Sequence, residues 1–470
     1  MKLLRSILLA LALGLALPAA AADRGVRVTL SRGEGGDWLI DYDFTWRSRA
    51  WFFPRSYMDL GGKPWRQQSW AVETPGVRFE RIGHYDVLSA GGAPLSHVRI
   101  RMRPFAHPLS ADYTPALAFS DGGLAFYSDH FVVSPVASVA VARTLPADLV
   151  HTYIEQPPVS WVVRDPGHRL LLRGKTLRGM ATFALRDADT YLYSGNAPVS
   201  ETAAFAGVID AGLPAWVRTE LDDFTPRIMA LYAERLGKPA GGRPMALIAW
   251  QGAERNGFSF GGSVLSGMVV MQISGKQVLA RNDGVLTQMR WFIGHESAHF
   301  WVGQTIRYEV PGDSWIMEGS ADLLAIRALE RLTPDYDATA ALQAEMDECL
   351  KLSGAHEPLA TAGQRGEHRA NYGCGAMLAL AAEAALKQGP GNGDVFTFLR
   401  GLIAARRADG VVGTADWLAR FQAATGDAAL VGEVRGFVEK GVANPRAFWA
   451  RLFGATGVGF RVEGEGLKLG

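Results

Sequence analysis

His295-Glu296-Ser297-Ala298-His299-Phe300-Trp301-Val302-Gly303, followed after a gap by Trp315-Ile316-Met317-Glu318-Gly319, is the stretch that decides how the rest of the chain is read. On an α-helix, residues four apart are neighbours, so His295 and His299 share a face one turn apart. Two imidazoles so placed bind one zinc ion, and the intervening Glu296 holds the attacking water. Eighteen residues separate His299 from Glu318. A second helix beginning near Asp313 carries Glu318 back to the metal as the third ligand. Three protein ligands and one open position describe a catalytic zinc site rather than a structural one. Two histidines and a carboxylate also suit zinc among the divalent ions. Glu296 points about 100° round the helix from His295, beside the metal rather than onto it. There it acts as general base on the water and then as acid toward the leaving amine. Asp322 follows Glu318 by one turn. It stands either where a carboxylate takes the free ring N–H of a ligand histidine or on the helix surface.

Working outward, the composition is that of ordinary globular material: 470 residues, 48% hydrophobic, formal net charge +1. That is enough chain for two or three domains with real cores. No basic run stands out, which argues against nucleic acid as a partner. The first 22 residues read as a secretory signal peptide. Lys2 and Arg5 charge its start, residues 7–17 are apolar, and Ala20-Ala21-Ala22 offers a cleavage site before Asp23. A secreted or periplasmic protein is therefore expected. Residues 376–386 form the next most apolar run, but they are few and Glu383 interrupts them, so no stable membrane insertion is expected after cleavage. The two cysteines, Cys349 and Cys374, suit a disulfide in such a compartment, with two buried thiols as the alternative.

Residues 23–212 read as a β-rich domain. Short branched or aromatic runs at 27–30, 38–42, 98–102 and 170–173 are separated by turn clusters such as Gly35-Gly36-Asp37 and Asp165-Pro166-Gly167. They predict antiparallel sheets in a sandwich or saddle. Six histidines in this half (His84, His97, His107, His130, His151 and His168) have no ligand spacing and read as surface or hydrogen-bonded residues. Residues 46–55, with two tryptophans, two phenylalanines and three arginines, read as packing or as a recognition surface. From Pro214 the pattern turns helical: Trp216, Leu221, Phe224, Ile228, Leu231 and Leu236 fall on one face, and Gly237-Lys238-Pro239 ends it. A strand is predicted at 245–250 and another at 264–273. The zinc helix is predicted over 285–304, and a helix capped by Asp313 or Ser314 runs to about Leu332. The remainder, from about Ala338, is mostly helical.

His-Glu-x-x-His-x-Trp-x-Gly followed by Trp-x-x-Glu-Gly resembles the gluzincin metallopeptidases, most of all the membrane alanyl aminopeptidase family, with the glycyl aminopeptidase family as a close relative. The resemblance implies a fold class of an N-terminal antiparallel β domain followed, over 213–470, by a thermolysin-like catalytic domain. That domain would have a small α/β lobe, then a helical lobe from about 285, with one zinc ion between them. It implies an oxyanion donor in a Tyr-x-Lys-Gly-Ala stretch. Tyr372-Gly373-Cys374-Gly375-Ala376 fits, with Cys in place of Lys, so Tyr372 is the expected donor. It also implies a Gly-Ala-Met-Glu-Asn strand whose Glu binds the substrate amine. Aligned on Gly267 and Met268, the Glu position falls on Val270 and the nearest polar residue is Gln272, so Gly267, Met268 and Gln272 are the expected substrate-binding residues. The expectation is an exported zinc metallopeptidase acting on peptides or proteins, aminopeptidase-like but with an altered amine-binding strand. The alternative is a catalytically impaired peptide-binding protein of the same fold.

Overall fold

The computed structural model describes residues 25–470 except 111, 150–151, 186–188, 203–204, 390 and 465. The predicted leader and His151 lie outside the described residues. In the first half, alternation does what it predicts. Along Trp38–Ser48, Trp38, Ile40, Tyr42 and Phe44 turn inward and their neighbours outward. This strand lies inside a nine-stranded sheet whose path runs Trp70–Val72, Leu95–Met102, Trp38–Ser48, Val26–Arg32, Val159–Leu172, Tyr191–Gly195, Leu124–Tyr127, Ala116–Ala118. Lys175–Leu185 also pairs with Val159–Leu172. The sheet is not wholly antiparallel as expected: Val26–Arg32 runs parallel to the first part of Val159–Leu172. The two are joined by a long excursion through the rest of the domain, the kind of crossover a parallel pair requires. A second, four-stranded sheet holds Ala50–Phe52. Trp51, Phe52 and Phe53 are buried, and Phe53 meets Trp70 edge-on at 5.4 Å, so the aromatic part of residues 46–55 is packing. The described histidines of this half join no metal-capable cluster among the described residues.

The second half opens on a five-stranded sheet in the order β1 (Val199–Glu201), β2 (Ala206–Ile209), β3 (Met245–Trp250), β5 (Met268–Ser274), β4 (Ser259–Leu265). Its first two strands come from before residue 212, so the change of architecture falls ahead of residue 199. Short apolar runs look alike in either domain, and only pairing assigns them. β2, β3 and β5 are parallel, while β4 is an antiparallel edge. The strand predicted over 264–273 is in fact a hairpin. Ser266 and Gly267 turn it, and Gly267 has φ 70°, a conformation that favours glycine. Leu265, Met268 and Val270 share a core with Leu117, Tyr127, Tyr191 and Tyr193 of the β domain. The β domain therefore packs on one face of this sheet, and the helices cover the other.

Helix α1 (Ala215–Leu236) ends at Gly237, as its pattern predicts. Helix α2 (Asp283–Ala298) carries the His-Glu-x-x-His motif and is capped by the Asn282 side chain, which accepts from the Val285 N–H at 3.1 Å. It stops at Ala298, not at Gln304, with His299 as its C-cap. The chain then folds back through Gly303, at φ 133°. Helices α3 (Ser314–Leu332), α4 (Ala338–Leu352) and α5 (Arg369–Gln388) complete the wall around the motif. A Cβ on Gly319 would lie 2.0 Å from the Gly375 carbonyl carbon, and one on Gly375 would lie 2.3 Å from the Trp315 oxygen. Only glycine permits so close a crossing of α3 and α5. Four further helices follow, in keeping with a mostly helical remainder, and the chain closes in a hairpin, Phe460–Glu463 with Gly466–Leu469. Among the described residues no helix is long and apolar enough to cross a membrane.

Candidate metal centre and cleft

The helical spacing of α2 brings His295 and His299 together, and the return of α3 brings Glu318 to them. The two Nε2 atoms lie 3.0 Å apart, and Glu318 Oε2 lies 3.5 Å from the first and 3.4 Å from the second. Zinc bonds of about 2.0–2.1 Å at tetrahedral angles place ligand atoms about 3.3 Å apart, so the triangle is of zinc-binding size. The tautomers agree. His295 Nδ1–H donates to Asp322 Oδ1 at 2.7 Å, and His299 Nδ1–H donates to the Val302 carbonyl at 2.8 Å. Both rings then aim an Nε2 lone pair at the same point, an arrangement that is repulsive unless a cation lies between them. Glu318 Oε2 is buried and has no hydrogen-bond donor. Asp322 is fully buried on α3, so of its two expected roles the structure assigns it the partner of His295.

The charges tell the same story. Burial disfavours a charged His295 ring, yet Asp322 beside it raises its pKa to about 10 with the protein charges alone. Burial also works against an ionised Glu318, but the two imidazoles hold its carboxyl far below the usual carboxylate range. The centre is thus tuned to hold positive charge among carboxylates. Burial pushes the Glu296 carboxyl up, against the pull of the two imidazoles. The Tyr372 phenol is held far above its usual value by burial and by the Glu318 carboxylate, so it is a proton-bearing donor at ordinary pH. Its ring stacks beside His295 at 5.6 Å, with Arg369 over its other face at 4.4 Å. The Gly319–Gly375 crossing is what sets Tyr372, on α5, next to Glu318, on α3. Cys349 of α4 and Cys374 of α5 are joined by a disulfide, which ties the start of α5 to its neighbour two residues after Tyr372.

His295, Glu296, His299, Glu318 and Tyr372 all open onto one cavity of about 760 Å³. Its facing wall holds Val264, Leu265 and Ser266 of the hairpin, together with Tyr113 and Asp189 of the β domain. The three expected substrate-binding residues are not on this wall. Gly267 lies in the turn, Met268 is buried in the sheet core, and Gln272 is on the inner strand β5. Val270, taken as the counterpart of the family Glu, is also in that core. The correction follows from the hairpin: residues after Gly267 run back inside the sheet, and the exposed edge is the strand before it. Gln304 holds that edge to the metal helix. Its amide N–H donates to the Leu265 carbonyl at 2.7 Å, and its oxygen accepts from the Gly267 N–H at 2.5 Å. Sequence reasoning missed Gln304, Tyr113 and Asp189. Only Gln304, one residue past the quoted Gly303, left a local sign: a polar amide in an otherwise apolar exit from the helix.

No protein-family model matches the chain, and none of the curated proteins does. Among solved structures the chain is similar to an M1 zinc metallopeptidase from Deinococcus radiodurans, at 15% identity over 88% of this chain and 94% of that one, with a TM-score of 0.45. It is also similar to the yeast LTA4 hydrolase, at 12% identity over 90% of this chain and 68% of that one, with a TM-score of 0.49.

Proposed function

We propose that this chain is an exported, zinc-dependent metallopeptidase, aminopeptidase-like in its catalytic half, that hydrolyses peptide bonds of peptide or protein substrates. The observation that carries the reading is the convergence of His295 Nε2, His299 Nε2 and Glu318 Oε2, with both outer ring nitrogens already committed as donors. His295, His299 and Glu318 would hold the ion. Zinc, when bound, supplies Lewis acidity to the substrate carbonyl and to the attacking water. Glu296 takes a proton from that water as its oxygen bonds to the carbonyl carbon. As the carbon–nitrogen bond breaks, Glu296 hands the proton to the departing amine. Tyr372 donates its phenolic hydrogen to the negative charge that develops on the carbonyl oxygen. The uncharged edge strand offers backbone groups to an extended peptide. Export is supported by the leader-like residues 1–22 and by the disulfide, which belongs to an oxidising compartment.

The test uses the purified mature protein and two substrates, an aminoacyl reporter with a free amine and an internally quenched peptide blocked at its N-terminus. Chelator-sensitive hydrolysis of at least one is expected. Glu296→Gln should lower kcat about 10²–10⁴-fold while the zinc content stays at one ion per chain. Unchanged turnover in that variant would sink the mechanism. Zinc binding without turnover of either substrate would favour a peptide-binding protein that has lost catalysis.

A further inference from the structure

A second cavity, of about 560 Å³, lies beside α2 and has no lining residue in common with the metal cleft. It is bounded by Trp291 of α2, by Asp335, Tyr336 and Asp337 between α3 and α4, by Glu345 of α4 and by Arg369 of α5. Trp291 stands one helical turn before His295, and the two rings meet at 5.5 Å, so the cavity backs onto the metal centre. Glu345 is only 8% exposed, yet its carboxyl takes part in no hydrogen bond or ion pair among the described residues, and its Oε2 is buried. A buried carboxyl without a partner is costly, and native structures rarely leave one so. Asp335, on the exposed rim, is likewise unpaired among the described residues. Asp337 uses one oxygen to accept from the Ala340 N–H at 2.8 Å. The one cation on the lining, Arg369, is already committed. Its Nε and Nη2 donate to Glu348 Oε2 at 3.0 and 2.7 Å, and its guanidinium lies over the Tyr372 ring at 4.4 Å.

Three carboxyl groups therefore line the cavity with no free cation against them. They do not converge tightly enough for a metal ion: among the described residues, His295, His299 and Glu318 are the only such group. An organic cation fits instead. The half-buried Trp291 and Tyr336 rings add the aromatic surface on which a cation and its alkyl stem pack. Burial, helped by Asp322, pushes the Glu345 carboxyl up to about 8, and a cation alongside would favour its charged form.

We propose that this cavity is a second binding site, taking an ammonium or guanidinium on an alkyl stem, with Glu345 as its counter-ion. The site goes beyond the peptidase reading. Only the carrier of the cation depends on that reading: a lysine or arginine of the substrate peptide in one case, a free small amine in the other.

Calorimetry on Glu296→Gln protein, with and without zinc, compares N-acetyl-lysine amide, N-acetyl-arginine amide and the uncharged N-acetyl-norleucine amide. At least one cation should bind about tenfold or more tightly than the norleucine amide. Adding Glu345→Gln, which keeps the side chain's size, should collapse that preference. Asp335→Asn, on the exposed rim, should weaken the cations severalfold and serves if Glu345→Gln does not fold. Equal binding of the three amides, no measurable binding of any, or a preference that survives Glu345→Gln, or Asp335→Asn in its place, would overturn the proposal. Turnover by the parent protein assigns the carrier. Blocked, internally quenched peptides that differ only by lysine or norleucine at one position are compared by kcat/KM. A lysine preference at one position that Glu345→Gln removes identifies the substrate. Cation binding by the amides with no such preference at any position identifies a free amine. Failure of hydrolysis would count against the peptidase reading and leave the calorimetry standing.

Discussion

The helical wall of the cleft and the wall facing it differ in how far apart in sequence their residues lie and in what holds them. His295, Glu296, His299 and Glu318 come from a span of 24 residues and two helices, and the spacing within α2 already fixes two of the four. The facing wall gathers Tyr113, Asp189 and the 264–266 edge from two domains. The first wall is dense with charge, and Asp322 and the Val302 carbonyl hold the outer ring nitrogens of its two histidines. The second is mostly uncharged and is held by aromatic packing and by the amide of Gln304. Chemistry at a metal tolerates little displacement, so it is built on rigid, local elements.

That contrast can be broken or sharpened by measurement. Tyr372→Phe keeps the ring packed on His295 but removes the donor. It should lower kcat about 10²–10³-fold with little change in KM, and an equal rise in KM would mean that Tyr372 binds substrate instead. Replacing both Cys349 and Cys374 by Ser should cost about 3 kcal/mol of stability, given the 25-residue separation. Denaturant unfolding under non-reducing conditions would read it. If kcat at a temperature where the variant is folded also collapses, the helical wall is less self-sufficient than its local spacing implies. Asp322→Asn should weaken zinc binding about 10–100-fold by competition with a chelator, since the amide no longer fixes the His295 tautomer as a carboxylate does. Unchanged affinity would show that the helix alone aims the ring.

A last effect concerns Glu345 on α4. Burial, helped by the nearby Asp322 charge, pushes its carboxyl up to about 8. Its folded pKa thus lies above an unfolded value of about 4.3. The folded state then holds the proton more tightly, and stability falls as pH rises from about 4.3 toward 8. In Glu345→Gln this loss should disappear. The thermal midpoint of the variant relative to the parent should therefore rise between about pH 5 and pH 8. A constant difference across that range would mean that Glu345 is ionised throughout.

The chain made some features legible and hid others for identifiable reasons. The α1 helix, the α3 helix with Glu318 in its first turns, and the β half were readable because periodicity is local. The end of α2 was overestimated because Gly303 reverses the chain inside an apolar stretch that continues the helical look. The hairpin at Ser266–Gly267 was read as one strand because both arms are apolar, which moved the expected substrate contacts onto the inner strand. Val199–Glu201 and Ala206–Ile209 were placed with the β half because a short strand does not announce its partner.

By itself the sequence picked out His295, Glu296 and His299 as one candidate site, because helix geometry converts spacing into direction without help from the rest of the fold, while Tyr372 followed from the family resemblance. Only the tertiary structure decided that Asp322 serves His295, that Gly319 and Gly375 let α3 and α5 touch, and that Tyr113 and Asp189 of another domain line the same cavity. Those relations depend on which surfaces meet after packing. Contacts between residues 100 or more apart are set by the burial of whole faces, and no short pattern records them.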